Sequence, residues 1–350
     1  MRPYGVWCVI SPFNFPIALA GGPVAAALVT GNTVVVKCAS DTPWAGRLLA
    51  DCIRDAGLPA GAFNFVNGAG AAVGEQLIRD PRTAGATFTG SVAVGRTIMA
   101  EMAAGRYARP YIAEMGGKNP AIVTENADLD RAAAGIARSA YGMGGQKCSA
   151  LSRLYVHEKV ADALLAKIET EIDRIRIGDP TDRATGLGPV VNQRAHENYA
   201  RYVEDLKSAG AKLRRGGGRP SAGALARGYY VEPVLAEAPP SHALWKQEMF
   251  LPILMVQRYR DREEAMRLAN DTDMGLTAGF YGAPDEVPWF QDGIEAGVTY
   301  ANRGAGATTG AWPGYQPFGG WKGSGSSGKA IASAYYLPLY LREQSRTVVE

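Results

Sequence analysis

The first third of the chain alternates short, β-branched apolar runs with longer runs of helical period. Residues 6–10, 33–36, 63–66, 84–88 and 111–113 read as strands. Between them, 17–28, 45–56, 71–79 and 92–103 have helical length and spacing, with Asp51 and Arg54 on the polar side of the second. Strand–helix alternation at this pitch predicts right-handed βαβ units and a parallel, doubly wound sheet. After Pro120 the pattern restarts, with helices at 129–141, 160–175 and 195–208 and strands at 152–156, 230–235, 253–259 and 297–300. That predicts a second α/β domain. The Gly-, Ser- and Thr-rich stretch 304–328 carries Trp312 and Trp321, which favours an ordered loop lining a site over a linker. The last stretch, 335–349, reads as a strand able to pair with another subunit.

Composition narrows the class. A chain of 350 residues, 47% hydrophobic and 20% charged, has the length of two domains and ample material for a core. Its 43 glycines follow no triplet period, which excludes a collagen-like chain. The net charge of +3 is spread along the sequence and leaves no nucleic-acid footprint. The most apolar stretch, 17–29, is broken by Gly21, Gly22 and Pro23 and is shorter than the about 20 residues a membrane span requires. The first residues, with one basic side chain and an early proline, do not resemble a signal peptide. Cys8, Cys38, Cys52 and Cys148 form no CxxC pair and no Cys/His cluster, so neither a metal site nor a disulfide framework is expected. Reduced thiols and a cytoplasmic location follow.

Several residues could carry chemistry, each beside a plainer reading. Cys148 follows Gly144-Gly145 and stands between Lys147 and Ser149; it is either a nucleophile or a small buried hydrophobe. Glu114, at the end of a strand and before paired glycines, is either a general base or an edge carboxylate paired with Lys118. Gly90-Ser91 opens a helix and could hold a phosphate or simply cap it. Lys37 ends the second strand, where it could reach a ribose or remain solvated. Asn14, between prolines, could donate to an oxyanion or form a turn. Neither GxGxxG nor a P-loop is present.

Together these segments resemble the aldehyde dehydrogenase superfamily. The likeness runs in order along nearly the whole chain: SPFNFP at 11–16, GNTVVVK at 31–37, FTGS at 88–91, EMGGKNP at 114–120, GQKCSA at 145–150, QEMFLP at 247–252 and QPFGGWKGSG at 316–325. The resemblance implies a Rossmann-like cofactor domain over 1–116, a catalytic domain over 117–323, and a tail with an oligomerisation strand over 324–350. It implies Cys148 as nucleophile, Glu114 as the base for deacylation, and Asn14 with the Cys148 backbone N–H as oxyanion hole. Lys37, Ser40, Gly90, Ser91, Glu248 and Phe250 would then bind the cofactor, NAD or NADP. An aldehyde is the implied substrate and a homo-oligomer the implied assembly.

Within the superfamily, the Cys148-Ser149 pair and the loop from Asn302 to Phe318 are similar to the Δ1-pyrroline-5-carboxylate dehydrogenase subfamily. That implies oxidation of L-glutamate γ-semialdehyde to L-glutamate. Ser149, Gly310 and Ala311 would hold the α-carboxylate, and Phe318 would pack on the aliphatic part. Two departures stand out. Many NAD-preferring relatives have Glu three residues after the lysine, where this chain has Ser40, so NADP is expected to be tolerated. Relatives also carry a long segment ahead of the SPFNFP motif, which begins ten residues into this sequence. The residues leave open another semialdehyde or aliphatic aldehyde dehydrogenase, a non-catalytic assembly subunit, and a thiol hydrolase that uses no nicotinamide.

Overall fold

The computed structural model describes residues 1–304 and 316–350. The chain divides into two compact units: one of Met1–Met115, Pro317–Gly319 and Gly323–Glu350, the other of Gly116–Gln316 and Gly320–Lys322.

The first unit runs β1 (Val6–Ile10), α1 (Ala18–Val29), β2 (Thr33–Lys37), α2 (Pro43–Asp55), β3 (Phe63–Val66), α3 (Glu75–Arg79), β4 (Thr83–Thr89), α4 (Val92–Ala103) and β5 (Tyr111–Glu114). Its five strands are all parallel in the order β3-β2-β1-β4-β5. The order reverses between β1 and β4, the switch point at which doubly wound sheets bind ligands beyond the strands' carboxyl ends. Alternation along β1 explains its burial on both faces. Trp7 and Val9 pack with Ala20, Val24 and Ala27 of α1. Cys8 points the other way, into a cluster with Phe88, Ile98 and Met102.

Two expectations for this unit are corrected. Residues 71–79 are not one helix: a wide π-turn over Gly70–Gly74 precedes α3. The turn leaves the Gly74 α-carbon facing Lys37, where a Cβ would lie 3.9 Å from the Lys37 side chain. The stretch 335–349 is not one long strand. It holds a 3₁₀ turn at Leu337–Tyr340 and a two-residue strand, Leu341–Arg342, paired antiparallel with Arg2–Pro3 of the same chain. Aromatic anchoring is the reason. The Tyr340 ring packs 4.7 Å from Trp7, and its hydroxyl lies 3.0 Å from the Thr87 hydroxyl and 2.7 Å from that of Tyr336.

The second unit runs β6 (Asn119–Val123), α5 (Leu129–Tyr141), β7 (Leu151–His157), α6 (Glu158–Asp173), α7 (Gln193–Ser208), β8 (Lys212–Arg215), β9 (Val234–Glu237), β10 (Ile253–Tyr259), α8 (Arg262–Asn270), β11 (Thr277–Tyr281), α9 (Val287–Gly293) and β12 (Val298–Ala301). The sheet order is β12-β11-β6-β7-β10-β9-β8, parallel except for β8. The strand expected at 230–235 begins only at Val234, after Pro233. The strand expected at 297–300 lies one residue later. No helix among the described residues is long and apolar enough to cross a membrane.

Candidate active site

In the first unit the implicated residues collect at the carboxyl ends of the strands. A cleft of about 320 Å³ opens there, lined by Ile10, Lys37, Gly70, Gly74 and Val94, with Arg79 and Glu101 among its further walls. Lys37 is 5% exposed; its Nζ donates to the Cys38 carbonyl at 3.0 Å, and loss of hydration lowers its pKa. Ser40, on the exposed loop beyond, donates to the Gly68 carbonyl at 3.2 Å. Ser91 caps α4, its hydroxyl accepting from the Val94 N–H at 3.5 Å. The capping reading therefore holds, and the other free N–H groups of that first turn remain suited to an anion. Gly90 is needed because a Cβ would fall 2.5 Å from the Phe88 ring.

Glu114 is the last residue of β5 and is buried. Residues 324–326 grip it from both sides. Its backbone bridges Gly325, the Ala113 N–H donates to the Ser326 hydroxyl at 2.7 Å, and the Met115 N–H donates to the Ser324 carbonyl at 2.9 Å. The Gly90 N–H donates to the Glu114 carbonyl at 3.1 Å, which ties the helix-opening turn to the same strand end. Asn14 is buried four residues past β1. Phe318 is half-buried and exchanges backbone bonds of 3.0 and 2.8 Å with Ile331. Gly310 and Ala311 lie outside the described residues.

In the second unit Cys148 is half-buried, between a 3₁₀ turn at Gly142–Gly145 and the start of β7. Met143, Gly144 and Gly145 are left-handed in succession, with φ of 55°, 65° and 66°. Gly145 must be glycine on two counts: its φ, and the 2.3 Å that would separate a Cβ from the Leu251 carbonyl oxygen. The peptides around Cys148 are clamped by Asn119. Its Nδ2 donates to the carbonyls of Cys148 at 2.7 Å and Ala150 at 2.9 Å, while its Oδ1 accepts from the Thr277 N–H at 3.0 Å. Lys147 is buried beside Cys148. Loss of hydration, reinforced by Arg138, brings its pKa down to about 8, against the opposing pull of Cys148. Ser149 is also buried, 2% exposed.

Glu248 is cradled by the glycines that follow Glu114 in sequence. The Gly117 N–H donates to its Oε1 at 2.9 Å, and a Cβ on Gly116 would lie 2.2 Å from its Oε2. Loss of hydration pushes its pKa up to about 7, against the lowering pull of the Gly117 N–H and of Lys118. Phe250, two residues on, is left-handed at φ 57°. Sequence reasoning passed over Asn119, Ser324 and Ser326. Asn119 and Ser324 sit inside quoted motifs and Ser326 one residue beyond the last of them, but a hydrogen bond to another segment's backbone leaves no signature in one sequence.

The family model for the aldehyde dehydrogenase family matches residues 1–345. Among curated relatives, 1-pyrroline-5-carboxylate dehydrogenase of Geobacillus thermodenitrificans is 40% identical over 354 residues, which cover 99% of this chain and 67% of the relative. Among solved structures, 1-pyrroline-5-carboxylate dehydrogenase from Thermus with bound NAD superposes with a TM-score of 0.91 at 36% identity, over 97% of this chain and 65% of that one. An NADP-dependent enzyme of E. coli superposes with a TM-score of 0.90 at 33% identity, over 97% of this chain and 69% of that one. The chain thus spans about two thirds of the length of these relatives. It belongs to the aldehyde dehydrogenase family.

Proposed function

We propose that this protein is an NAD(P)-dependent aldehyde dehydrogenase, and that its substrate is L-glutamate γ-semialdehyde, oxidised to L-glutamate. The observation that carries the reading is the presentation of Cys148: a half-buried thiol three residues past a left-handed turn, its own carbonyl fixed by Asn119. A structural cysteine needs no such support; a nucleophile held in an attacking pose does. The relatives' shared activity and the buried Ser149 hydroxyl support the substrate.

The chain's residues fit a nicotinamide dinucleotide by halves. The first unit offers the 320 Å³ cleft with Lys37 in its wall, and nearby the opened helix start at Ser91. The second offers Glu248, an acceptor for ribose hydroxyls cradled where Gly116 has no Cβ. When bound, the nicotinamide supplies the hydride acceptor that this oxidation requires. The Cys148 thiolate adds to the aldehyde carbon, forming a C–S bond and an alkoxide; the Cys148 N–H, and the amide of Asn14 to which the family resemblance gives the same task, would stabilise that oxyanion. Loss of hydride from the same carbon leaves a thioester. Glu114 takes a proton from water, hydroxide adds to the thioester carbonyl, and the C–S bond breaks to release the carboxylate and regenerate the thiolate.

The test is cofactor reduction followed by absorbance with the semialdehyde beside a simple aliphatic aldehyde. Turnover favouring the semialdehyde is expected. An aliphatic preference would overturn the substrate assignment, and no turnover from folded protein would favour a non-catalytic subunit. The same assay reads cofactor choice. Ser40 brings no carboxylate to repel a 2′-phosphate, so kcat/KM for NAD should exceed that for NADP by less than about a hundredfold, roughly 2.7 kcal/mol. A larger ratio would refute NADP tolerance. The proposal extends to a cytoplasmic homo-oligomer, consistent with the exposed apolar side chains of Val29, Trp44 and Leu48.

A further inference from the structure

Four consecutive carbonyls around Cys148 all accept hydrogen bonds. The Lys147 carbonyl takes the Ala150 N–H at 3.0 Å, which closes a turn. Asn119 answers the carbonyls of Cys148 and Ala150. The one between them, on Ser149, accepts from the Thr277 hydroxyl at 3.3 Å. Thr277 is the first residue of β11 and is 2% exposed. In the sheet β6 lies between β11 and β7, so this hydroxyl reaches past the start of β6 to the peptide that leads into β7. Thr277 also acts through its main chain. Its N–H donates to the Asn119 Oδ1 at 3.0 Å, which fixes the amide with its Nδ2 toward the Cys148 and Ala150 carbonyls. One residue thus orients the clamp and closes the gap that the clamp leaves.

The strand itself has no use for the hydroxyl. All five residues of β11 are buried, and Val has the same branched shape with no polar group to satisfy. What the hydroxyl adds is a donor for a buried carbonyl one residue past the thiol. We propose that Thr277 is a positioning residue for Cys148, its hydroxyl holding the Ser149 peptide so that the turn carrying the thiol keeps a single conformation. Without that donor the carbonyl is left unpaired away from water, which is costly, so the peptide rotates toward another donor and disturbs the residues on either side. A displacement of about 1 Å at the sulfur is enough to slow attack. This rests on the dehydrogenase reading, in which Cys148 is the nucleophile, and adds to it a residue that acts only through the peptide behind the thiol. Thr277 lies 128 positions from Ser149, so neither segment alone announces the partnership.

The first-turnover rate of cofactor reduction tests it, measured by rapid mixing of the protein and NAD with whichever of the two aldehydes above it oxidises faster. Thr277→Val keeps the shape and the main-chain N–H and removes the hydroxyl; Thr277→Ser keeps the hydroxyl and removes the methyl. Thr277→Val is expected to slow the first turnover about tenfold while NAD affinity, read by titration calorimetry, stays within about twofold. Thr277→Ser is expected to stay within about twofold of the original rate. A merely structural role predicts the reverse order, because Val preserves the packing that Ser gives up. Equal losses in the two variants, the reverse order, or a loss of NAD affinity in place of the loss in rate would overturn the proposal. Should Thr277→Val melt before the assay temperature, Thr277→Ala beside Thr277→Ser gives the same comparison. Absence of turnover from the folded, unmodified protein would overturn the dehydrogenase reading and this role with it. Normal turnover with an unslowed Thr277→Val would remove only the role of Thr277.

Discussion

Replacing Cys148 by Ala is expected to reduce aldehyde oxidation by at least about 10⁴-fold while leaving NAD affinity within about twofold of its original value. The first half follows from the chemistry: without the thiolate no C–S bond forms, and no thioester exists for Glu114 to hydrolyse. The second half follows from where the side chain sits. Cys148 is fixed through its backbone, by Asn119 on its carbonyl, and that contact survives loss of the sulfur. Ala also suits the turn, because the left-handed conformations fall on Met143, Gly144 and Gly145 and not on residue 148. Steady-state cofactor reduction and NAD calorimetry on the same preparation decide it. Residual oxidation within tenfold of the original rate would mean that another group carries the reaction. Loss of NAD binding would mean that the substitution had disturbed more than the nucleophile.

Cys148 and Glu114 could be nominated from the sequence by their residue types and the glycines beside them, and the family resemblance supplied the roles proposed for them. The strands of the first unit were legible for a related reason. Runs such as Val6–Ile10 and Phe63–Val66 are short, branched or aromatic, and bounded by turn residues. The second sheet hid two of its central strands. β6 begins Asn119-Pro120, and a proline ordinarily argues against a central strand. Here the register of β6 against β7 shifts between those two residues, and that irregularity accommodates the missing N–H. β11 carries Gly279 in its middle, which reads as a break; the glycine is there because a Cβ would fall 2.5 Å from the Tyr300 ring.

The site shows the same division. Residues that act through side-chain chemistry could be nominated, whereas those that act on another residue's backbone could not. Asn119 holds a carbonyl 29 positions away, and Ser326 receives an N–H from a strand 213 positions earlier. The paired glycines Gly116 and Gly117 lie between these classes. Their presence is obvious in the sequence, but their reason is visible only when the groups packed on each α-carbon are known. One faces a carboxylate and the other a main-chain carbonyl. The two glycines should therefore answer differently to the same substitution.

Gly117→Ala is expected to lower kcat about 10²-fold with a folded protein remaining, whereas Gly116→Ala should act chiefly on the KM for NAD. An added Cβ at Gly117 would stand 2.4 Å from the Cys148 carbonyl oxygen and 2.6 Å from the Asn119 Oδ1. Both are parts of the clamp, and neither is the loose end of a flexible chain. Relief requires moving the peptide that carries the nucleophile. Overpacking of this kind costs about 1–3 kcal/mol of stability, which a two-domain chain survives. A displacement of about 1 Å at the reacting atom is enough for the loss in rate. The backbone itself is not the obstacle, since Gly117 is not in the left-handed region. At Gly116 the obstructing atoms are the Glu248 carboxylate oxygens, which swing aside by rotation and take the ribose acceptor with them. Steady-state kinetics at varied NAD, with a melting curve for each variant, separate the two. Equal effects on kcat and KM in both variants would mean that the glycines support the fold in general and do not hold two separate catalytic parts.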